Sequence, residues 1–398
     1  MSEHRLEVAE VFRGFESDFF RRWGAVLGSH QKRAFRAIVN CRTAALGGHV
    51  DRCDHCGHTA ISYISCRDRH CPKCQAMARA KWLAQRETEL LPVEYFHVVF
   101  TLPEQIGCLA LQNAKEIYRI LFRAVSETLL TIAADPKHLG AAIGFLAVLH
   151  TWGQNLHLHP HIHCVVPGGG ISTNGTRWIG CRRSFFLPVR VLSCLFKKKF
   201  LLYLTKSFRL GKLKFCGEMA GLARSAGFQA LCRQANRIDW AVYAKPPFGG
   251  PEQVLKYLAR YTHRVAISNQ RLLSLDGGRV TFAWKDYADG NKTKTMALDA
   301  VEFIRRFLLH ILPAGFVRIR QYGFLANRVR KQKLALCRSL LAAKPTTATP
   351  IATPGHGTVE QRRDPTLCPI CKTGHLIPVE LIKPVAGLVP RSVQFDSS

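Results

Sequence analysis

Acidic side chains are scarce in this chain. Asp and Glu number 27 against 57 Lys and Arg, a formal charge of +30. That imbalance argues against a metallohydrolase acting on a small molecule and favours a polyanionic partner, nucleic acid before an anionic membrane. Long apolar runs are missing too. The longest, Gly140 to Leu149, is too short to span a bilayer. No basic amphipathic anchor with a cleanly apolar opposite face is present, so we expect no membrane partner. Met1 to Gly14 is charged throughout and lacks the apolar core of a secretory signal, so a cytoplasmic location is expected. In that compartment 15 cysteines read as thiols and metal ligands rather than a disulfide framework. Gly168, Gly169 and Gly170 lack the Gly-Lys-Ser/Thr ending of a phosphate-binding loop, and no nucleotide-hydrolysis motif or internal repeat appears.

A chain of 398 residues, 47% of them hydrophobic, can bury at least one large core, and two or three domains are natural at this length. Helical periodicity runs through the first forty residues, with Val8, Val11 and Phe12, then Phe15, Phe19 and Phe20, then Phe35 and Ile38 on apolar faces. A cysteine-rich segment follows, then a short helix ending before Pro92. We expect residues 1–91 to form a helical, zinc-binding DNA-binding domain and 92–341 a catalytic domain. Residues 342–366 are rich in Thr, Pro and Ala without periodicity, so 342–398 reads as a linker and a small Cys-x-x-Cys tail. Within the central part, Glu94 to Leu102 reads as a buried strand, 106–134 and 188–236 as helical, and Trp240 to Ala244 as a strand. Phe145 to Trp152 and His161 to Val166 read as the arms of a hairpin. Gly277-Gly278 marks another hairpin and Phe303 to Ile311 a helix. Pro251 sits where a proline opens a helix.

The clearest metal signal is Cys53-x-x-Cys56 with Cys71-x-x-Cys74, two pairs spaced as in a zinc ribbon. Four protein ligands leave no open position, so such a site is structural. Cys41, His49, His58, Cys66 and His70 crowd the same stretch, and Cys66 and His70 are candidate substitute ligands. Arg67, Arg69 and Lys73 would belong to the basic surface it rigidifies. Cys368 and Cys371, with His375, form half of such a site and lack a fourth ligand nearby.

Five of the 17 histidines fall between residues 150 and 163. His161-Ile162-His163 leads into Cys164-Val165-Val166, which reads as a core strand. Side chains two apart in a strand share a face, so both imidazoles would point the same way. A site with only three protein ligands stays open for a phosphate oxygen. The third ligand is not fixed by sequence. If Trp152 pairs near His161, His150 lies across from His163 on the same face, and Gln154 at the loop edge competes with it.

Tyr257 and Tyr261 lie four apart, one turn along a helix face. Alone, such a pair reads as half-buried core. Arg260, His263 and Arg264 beside it make one side of the helix basic. A phenol with a pKa of about 10 needs a metal or a base to become a nucleophile. Basic residues interleave with aromatics again from Phe316 to Phe324. Alternation would put Arg318 and Arg320 on one face, followed by Asn327, Arg328 and Arg330, and Trp284, Lys285 and Tyr287 repeat the pattern more weakly. Stacking with phosphate contact is how single strands are held.

His161-Ile162-His163 followed by Cys164-Val165-Val166 resembles the HUH motif (His, hydrophobic, His) of rolling-circle nucleases. Tyr257 and Tyr261 resemble the paired tyrosines of the two-tyrosine transposases. Ala45 to His49, Arg69 to Cys74 and Tyr257 to Arg264 resemble segments of the transposases of rolling-circle insertion sequences, which carry an N-terminal zinc-binding domain. The likeness runs from about residue 20 to about 340. It implies an α+β fold: an RRM-like palm with a central antiparallel sheet carrying the HUH strand, preceded by the zinc-binding domain. It implies a bacterial protein, nucleoid-associated when bound to DNA. It also implies Mg²⁺ or Mn²⁺ held by His161 and His163, structural Zn²⁺, and tyrosine attack on the single-stranded ends of a mobile element and on target DNA. A 5′-phosphotyrosine forms and a 3′-OH is freed. Arg260, Arg264, Lys285, Arg318, Arg320 and Arg328 are the expected DNA contacts. The competing expectation is a non-enzymatic zinc-dependent nucleic-acid binder, with structural histidines and core tyrosines.

Overall fold

The structure, a computed structural model, describes residues 5–182, 186–245, 266–286, 289–343, 364 and 366–385, with the backbone only at 75–79 and 81. In chain order its first elements are α1 (Val8–Gly14), α2 (Glu16–Trp23), α3 (Ser29–Asn40), β1 (Gly48–Cys53), β2 (Thr59–Tyr63) and α4 (Gln75–Glu87). Next come β3 (Tyr95–Thr101), α5 (Glu104–Gly107), α6 (Ala110–Ala134), β4 (Ala141–Ala142), β5 (Gly144–Trp152) and β6 (Leu158–Pro167). β7 (Gly169–Ser172), β8 (Trp178–Gly180), α7 (Val189–Arg209), α8 (Ser225–Arg237) and β9 (Val242–Lys245) follow. The remainder comprises β10 (Leu272–Asp276), β11 (Arg279–Asp286), β12 (Lys292–Asp299), α9 (Ala300–Leu309), β13 (Ile319–Gly323), α10 (Arg330–Ala342) and β14 (Leu376–Ile382).

The centre is a five-stranded antiparallel sheet in the order β13-β5-β6-β3-β9. Strand periodicity sorts its residues. Phe96, Val98 and Phe100 of β3, Phe145, Ala147 and Leu149 of β5, and Ile162, Cys164 and Val166 of β6 all enter one core. That core is completed by Ile117, Leu121 and Val125 of α6 and Phe196 and Phe200 of α7. The alternate residues, among them His97, His150, His161 and His163, therefore turn to the opposite face. Apolar packing on one side of the sheet thus fixes where the imidazoles on the other side point.

A second core joins distant parts of the chain. Phe12, Phe19 and Phe35 of the N-terminal helices pack with Phe282 of β11 and Phe303 and Phe307 of α9. Phe12 stacks on Phe35 at 4.9 Å and meets Phe307 edge-on at 5.2 Å. The N-terminal helices are thus seated on the β10-β11-β12 sheet and its helix. Between β10 and β11, Gly277 and Gly278 both take positive φ, +52° and +76°, as a two-residue hairpin with this twist requires.

The tail differs from an appended unit. β14 pairs antiparallel with β1, from Gly48 opposite Ile382 to Cys53 opposite Leu376. With β2 on the other side of β1, the two ends of the chain build one three-stranded sheet. The helical expectation over 188–236 is interrupted between α7 and α8, where Gly211 and Gly217 take positive φ. Among the described residues no helix is long and apolar enough to cross a membrane.

Candidate metal centres

β5 and β6 place His150 directly opposite His161, while His163 faces Val148 on one side and Val99 on the other. The expected register had His150 across from His163. The observed register is displaced by two residues, and a slip of two keeps every side chain on its face. One nitrogen from each of His150, His161 and His163 lies within 4.8 Å of the others. Gln154 lines the same cleft, and its backbone carbonyl accepts a hydrogen bond from Arg271.

Two further contacts orient the imidazoles. The Nδ1 of His161 donates to the carbonyl of His159 at 2.6 Å. A carbonyl only accepts, so the proton sits on Nδ1 and Nε2 would be the ligating nitrogen for a metal. His163 Nδ1 lies 2.8 Å from His97 Nε2, with the rings stacked at 5.0 Å and 10°. Burial, reinforced by the positive charge of Lys245, pushes His97 down to about 3, so it is a neutral partner at physiological pH. The residue pattern alone does not single out His97. Its signal was a lone imidazole on the site-facing positions of an otherwise apolar strand.

The triad opens into a cleft of about 1110 Å³. Its lining includes Tyr243 and Lys245 of β9 and Trp284, Lys285 and Asp286 of β11. Lys285 is exposed. Tyr257, Arg260, Tyr261 and Arg264 lie outside the described residues. The stretch that carries them, 246–265, follows directly on Lys245 in the chain. The donor set fits a divalent transition ion. Imidazole nitrogens suit transition ions such as Zn²⁺, and of the two ions that the motif implies Mn²⁺ admits nitrogen more readily than Mg²⁺, which demands oxygen ligands.

The other expected DNA contacts fare differently. Arg328 is exposed. Arg318 is buried, only 8% exposed, and desolvation followed by the charge of Arg69 lowers it to about 10. It is therefore not a surface ligand for phosphate, because it leads into β13 beneath the zinc segment. Arg320 lies over the Phe122 ring at 4.1 Å.

The cysteines gather in two groups rather than one. Cys41, Cys66, Cys71 and Cys74 form the first, and Cys53, Cys56, Cys368 and Cys371 the second. The ribbon expected from Cys53, Cys56, Cys71 and Cys74 is thus split. Cys53 and Cys56 sit on the far end of the β1–β2 hairpin, while Cys71 and Cys74 return to the end of α3 beside Cys41. Cys41 Sγ lies 3.4 Å and Cys66 Sγ 3.5 Å from Cys74 Sγ. His70 belongs to neither group. Its Nδ1 faces Asp68 at 3.1 Å and its Nε2 accepts from the Leu312 amide at 3.2 Å, so both nitrogens are engaged. With Arg69, which donates to the carbonyls of Phe316 and Pro313, it fastens the zinc segment to the loop that leads into β13, the edge strand of the sheet.

Comparison with known proteins gives this architecture its family. Residues 144–333 match the family model described as "Putative transposase" (Y2_Tnp). Residues 11–102 match the "Transposase zinc-binding domain" (Zn_Tnp_IS91). Over 395 residues the chain is 54% identical to the "Putative transposase y4qJ" of Sinorhizobium fredii (strain NBRC 101917 / NGR234), covering 97% of this chain and 98% of the relative. It is 28% identical over 304 residues to the transposase for insertion sequence element IS801 of Pseudomonas savastanoi pv. phaseolicola, covering 75% and 70%. Overlap with solved structures is slight. The metal-free conjugative relaxase TrwC in complex with oriT DNA matches at 14% identity with a TM-score of 0.23, over 61% of this chain and 71% of that one. The metal-bound TrwC complex scores 0.24 over 62% and 72%.

The chain belongs to the rolling-circle transposases of the IS91/IS801 type, which carry an N-terminal zinc-binding domain. Membership brings the coarse function, DNA transposition by an enzyme that cuts and transfers DNA strands, and DNA as the partner.

Proposed function

We propose that this transposase nicks and rejoins single-stranded DNA by tyrosine transesterification, with Tyr257 and Tyr261 as the two nucleophiles. The phenolic oxygen of one tyrosine attacks the scissile phosphorus. A Tyr–O–P bond forms as the P–O3′ bond breaks, leaving a 5′-phosphotyrosine and a free 3′-OH. The second tyrosine then cuts another strand while the first stays occupied. Attack by a 3′-OH on the phosphotyrosine restores the phosphodiester and the phenol, so the bond energy is conserved without a nucleotide cofactor. A divalent cation held by His150, His161 and His163 would polarise the scissile phosphate and stabilise the charge that develops on it. Lys245, Lys285 and Arg328 would bind the backbone, with Trp284 offering a stacking face.

The observation that carries this proposal is the three-imidazole cluster on the open face of the sheet, oriented from behind by the His159 carbonyl and His97. The donor set favours Mn²⁺ over Mg²⁺. The test is incubation of the purified protein with labelled single-stranded element ends. A denaturant-resistant protein–DNA adduct that forms with Mn²⁺ and is suppressed by chelator is expected. Binding without any adduct, whatever the metal, would leave only a zinc-dependent DNA-binding protein.

A further inference from the structure

The second tetracysteine group lies outside the ribbon spacing visible in the sequence, and half of it lies beyond both matched family regions. Its two halves are copies of one turn. Cys53 donates its amide to the His58 carbonyl at 2.8 Å, and the Gly57 amide returns to the Cys53 carbonyl at 3.1 Å. Cys368 donates to the Gly374 carbonyl at 2.8 Å, and the Lys372 amide returns to the Cys368 carbonyl at 3.0 Å. The fourth residue after each first cysteine takes the left-handed conformation, Gly57 at φ +72° and Lys372 at φ +59°. Backbone amides point at sulfur in both turns: His55 and Cys56 at Cys53 Sγ (3.4 and 3.5 Å), and Gly374 at Cys371 Sγ (3.3 Å). Such amides stabilise thiolate rather than thiol.

The turns face each other closely. Cys53 Sγ lies 3.7 Å from Cys371 Sγ, and Cys56 Sγ 3.7 Å from Cys368 Sγ. Four sulfurs about 2.3 Å from a tetrahedral zinc stand roughly 3.8 Å apart, whereas a disulfide brings two to about 2 Å. Asp54 and His375 lock the turns together. The Asp54 amide donates to the His375 carbonyl at 3.1 Å, and the His375 amide donates to Asp54 Oδ1 at 2.8 Å. A Cβ on Gly374 would come within 2.6 Å of Cys53 Sγ, so only glycine admits this approach.

The sheet these turns terminate has little core of its own. No residue of β2 or β14 is buried. Backbone pairing of so exposed a sheet does not hold a chain terminus in place, and a metal joining its two turns would.

We propose that Cys53, Cys56, Cys368 and Cys371 bind a second structural Zn²⁺, distinct from the one at Cys41, Cys66, Cys71 and Cys74. It clamps the C-terminal strand onto the N-terminal zinc domain. The two ends of the transposase then form one module that neither end completes alone.

The test uses the full chain purified under reducing conditions, with Co²⁺ exchanged for zinc. Thiolate-to-cobalt absorption separates cysteine sites from any histidine site. C368S/C371S is expected to lose about half of that absorption and one equivalent of zinc relative to the parent, and C53S/C56S to lose the same. Trypsin should cut the variants after Lys372, a site protected in the parent. A second measurement needs no variant. In the native parent, iodoacetamide should label none of the four cysteines until chelator is added. Free alkylation of Cys368 and Cys371 in the native protein would overturn the proposal. So would an unchanged metal content in C368S/C371S, or an intact mass showing two disulfides here.

Discussion

His97 Nε2 stands 2.8 Å from His163 Nδ1, one strand away from the imidazole cluster. This contact determines which His163 nitrogen is left for a metal. Outer partners of this kind hold a ligand's tautomer and ring angle, and their loss typically costs 10–100-fold in metal affinity. We therefore expect H97A to weaken Mn²⁺ binding by about that factor in calorimetry while affinity for single-stranded DNA stays the same. H97Q, which retains a hydrogen-bonding group, should recover part of the loss. Equal Mn²⁺ affinity in H97A and the parent would remove His97 from the site.

The triad itself should divide chemistry from binding. H161A or H163A is expected to lower adduct formation by at least about a hundredfold, because each removes a ligand that no neighbour replaces. DNA affinity in a gel shift should change by less than about threefold, since phosphate contacts supply it. Parallel losses of cleavage and affinity would instead mark these histidines as structural.

His310 gives the fold a pH dependence. It is fully buried, with Nε2 3.2 Å from the Leu156 carbonyl, and desolvation lowers its pKa to about 4. The unfolded chain takes up a proton near pH 6.5 that the folded chain refuses until about pH 4. Stability from this group is therefore complete above about pH 6.5 and falls as pH drops toward 4, by about 1.4 kcal/mol per unit. Urea unfolding at a series of pH values should show this slope, and H310Q should flatten it. An unchanged slope in H310Q would assign the effect to other groups.

Sequence periodicity made the apolar skeleton legible. Val8, Val11, Phe12, Phe19, Phe35 and Ile38 are all buried, and the alternation in His161 to Val166 is the alternation of β6. What periodicity could not supply was the partner of each face. Ribbon spacing pairs Cys53 and Cys56 with the wrong partners, because spacing along the chain cannot register β14 returning to β1 from more than three hundred residues away. Arg318 looked like a phosphate ligand because charge is visible in a sequence and burial is not. His97 is not legible in the sequence, because a single imidazole in an apolar strand acquires meaning only from the neighbouring strand.

The second core makes a stability claim. Phe12 is fully buried between Phe35 and Phe307. Truncating a phenylalanine in such a position removes its transfer energy and leaves a cavity, at a cost of about 3–5 kcal/mol. F12A should lower the unfolding free energy by that amount. A loss below about 1 kcal/mol would mean that the N-terminal helices are not seated on the β10–β12 sheet in solution.

The most direct measurement is to digest the covalent adduct formed on single-stranded DNA and locate the nucleotide by tandem mass spectrometry. The attached phosphate is expected on Tyr257 or Tyr261, joined through the 5′ end of the downstream strand, and absent from Y257F/Y261F although that variant still binds DNA. An adduct mapped to any other residue, or one that persists in the double variant, would contradict tyrosine attack beside the histidine cluster.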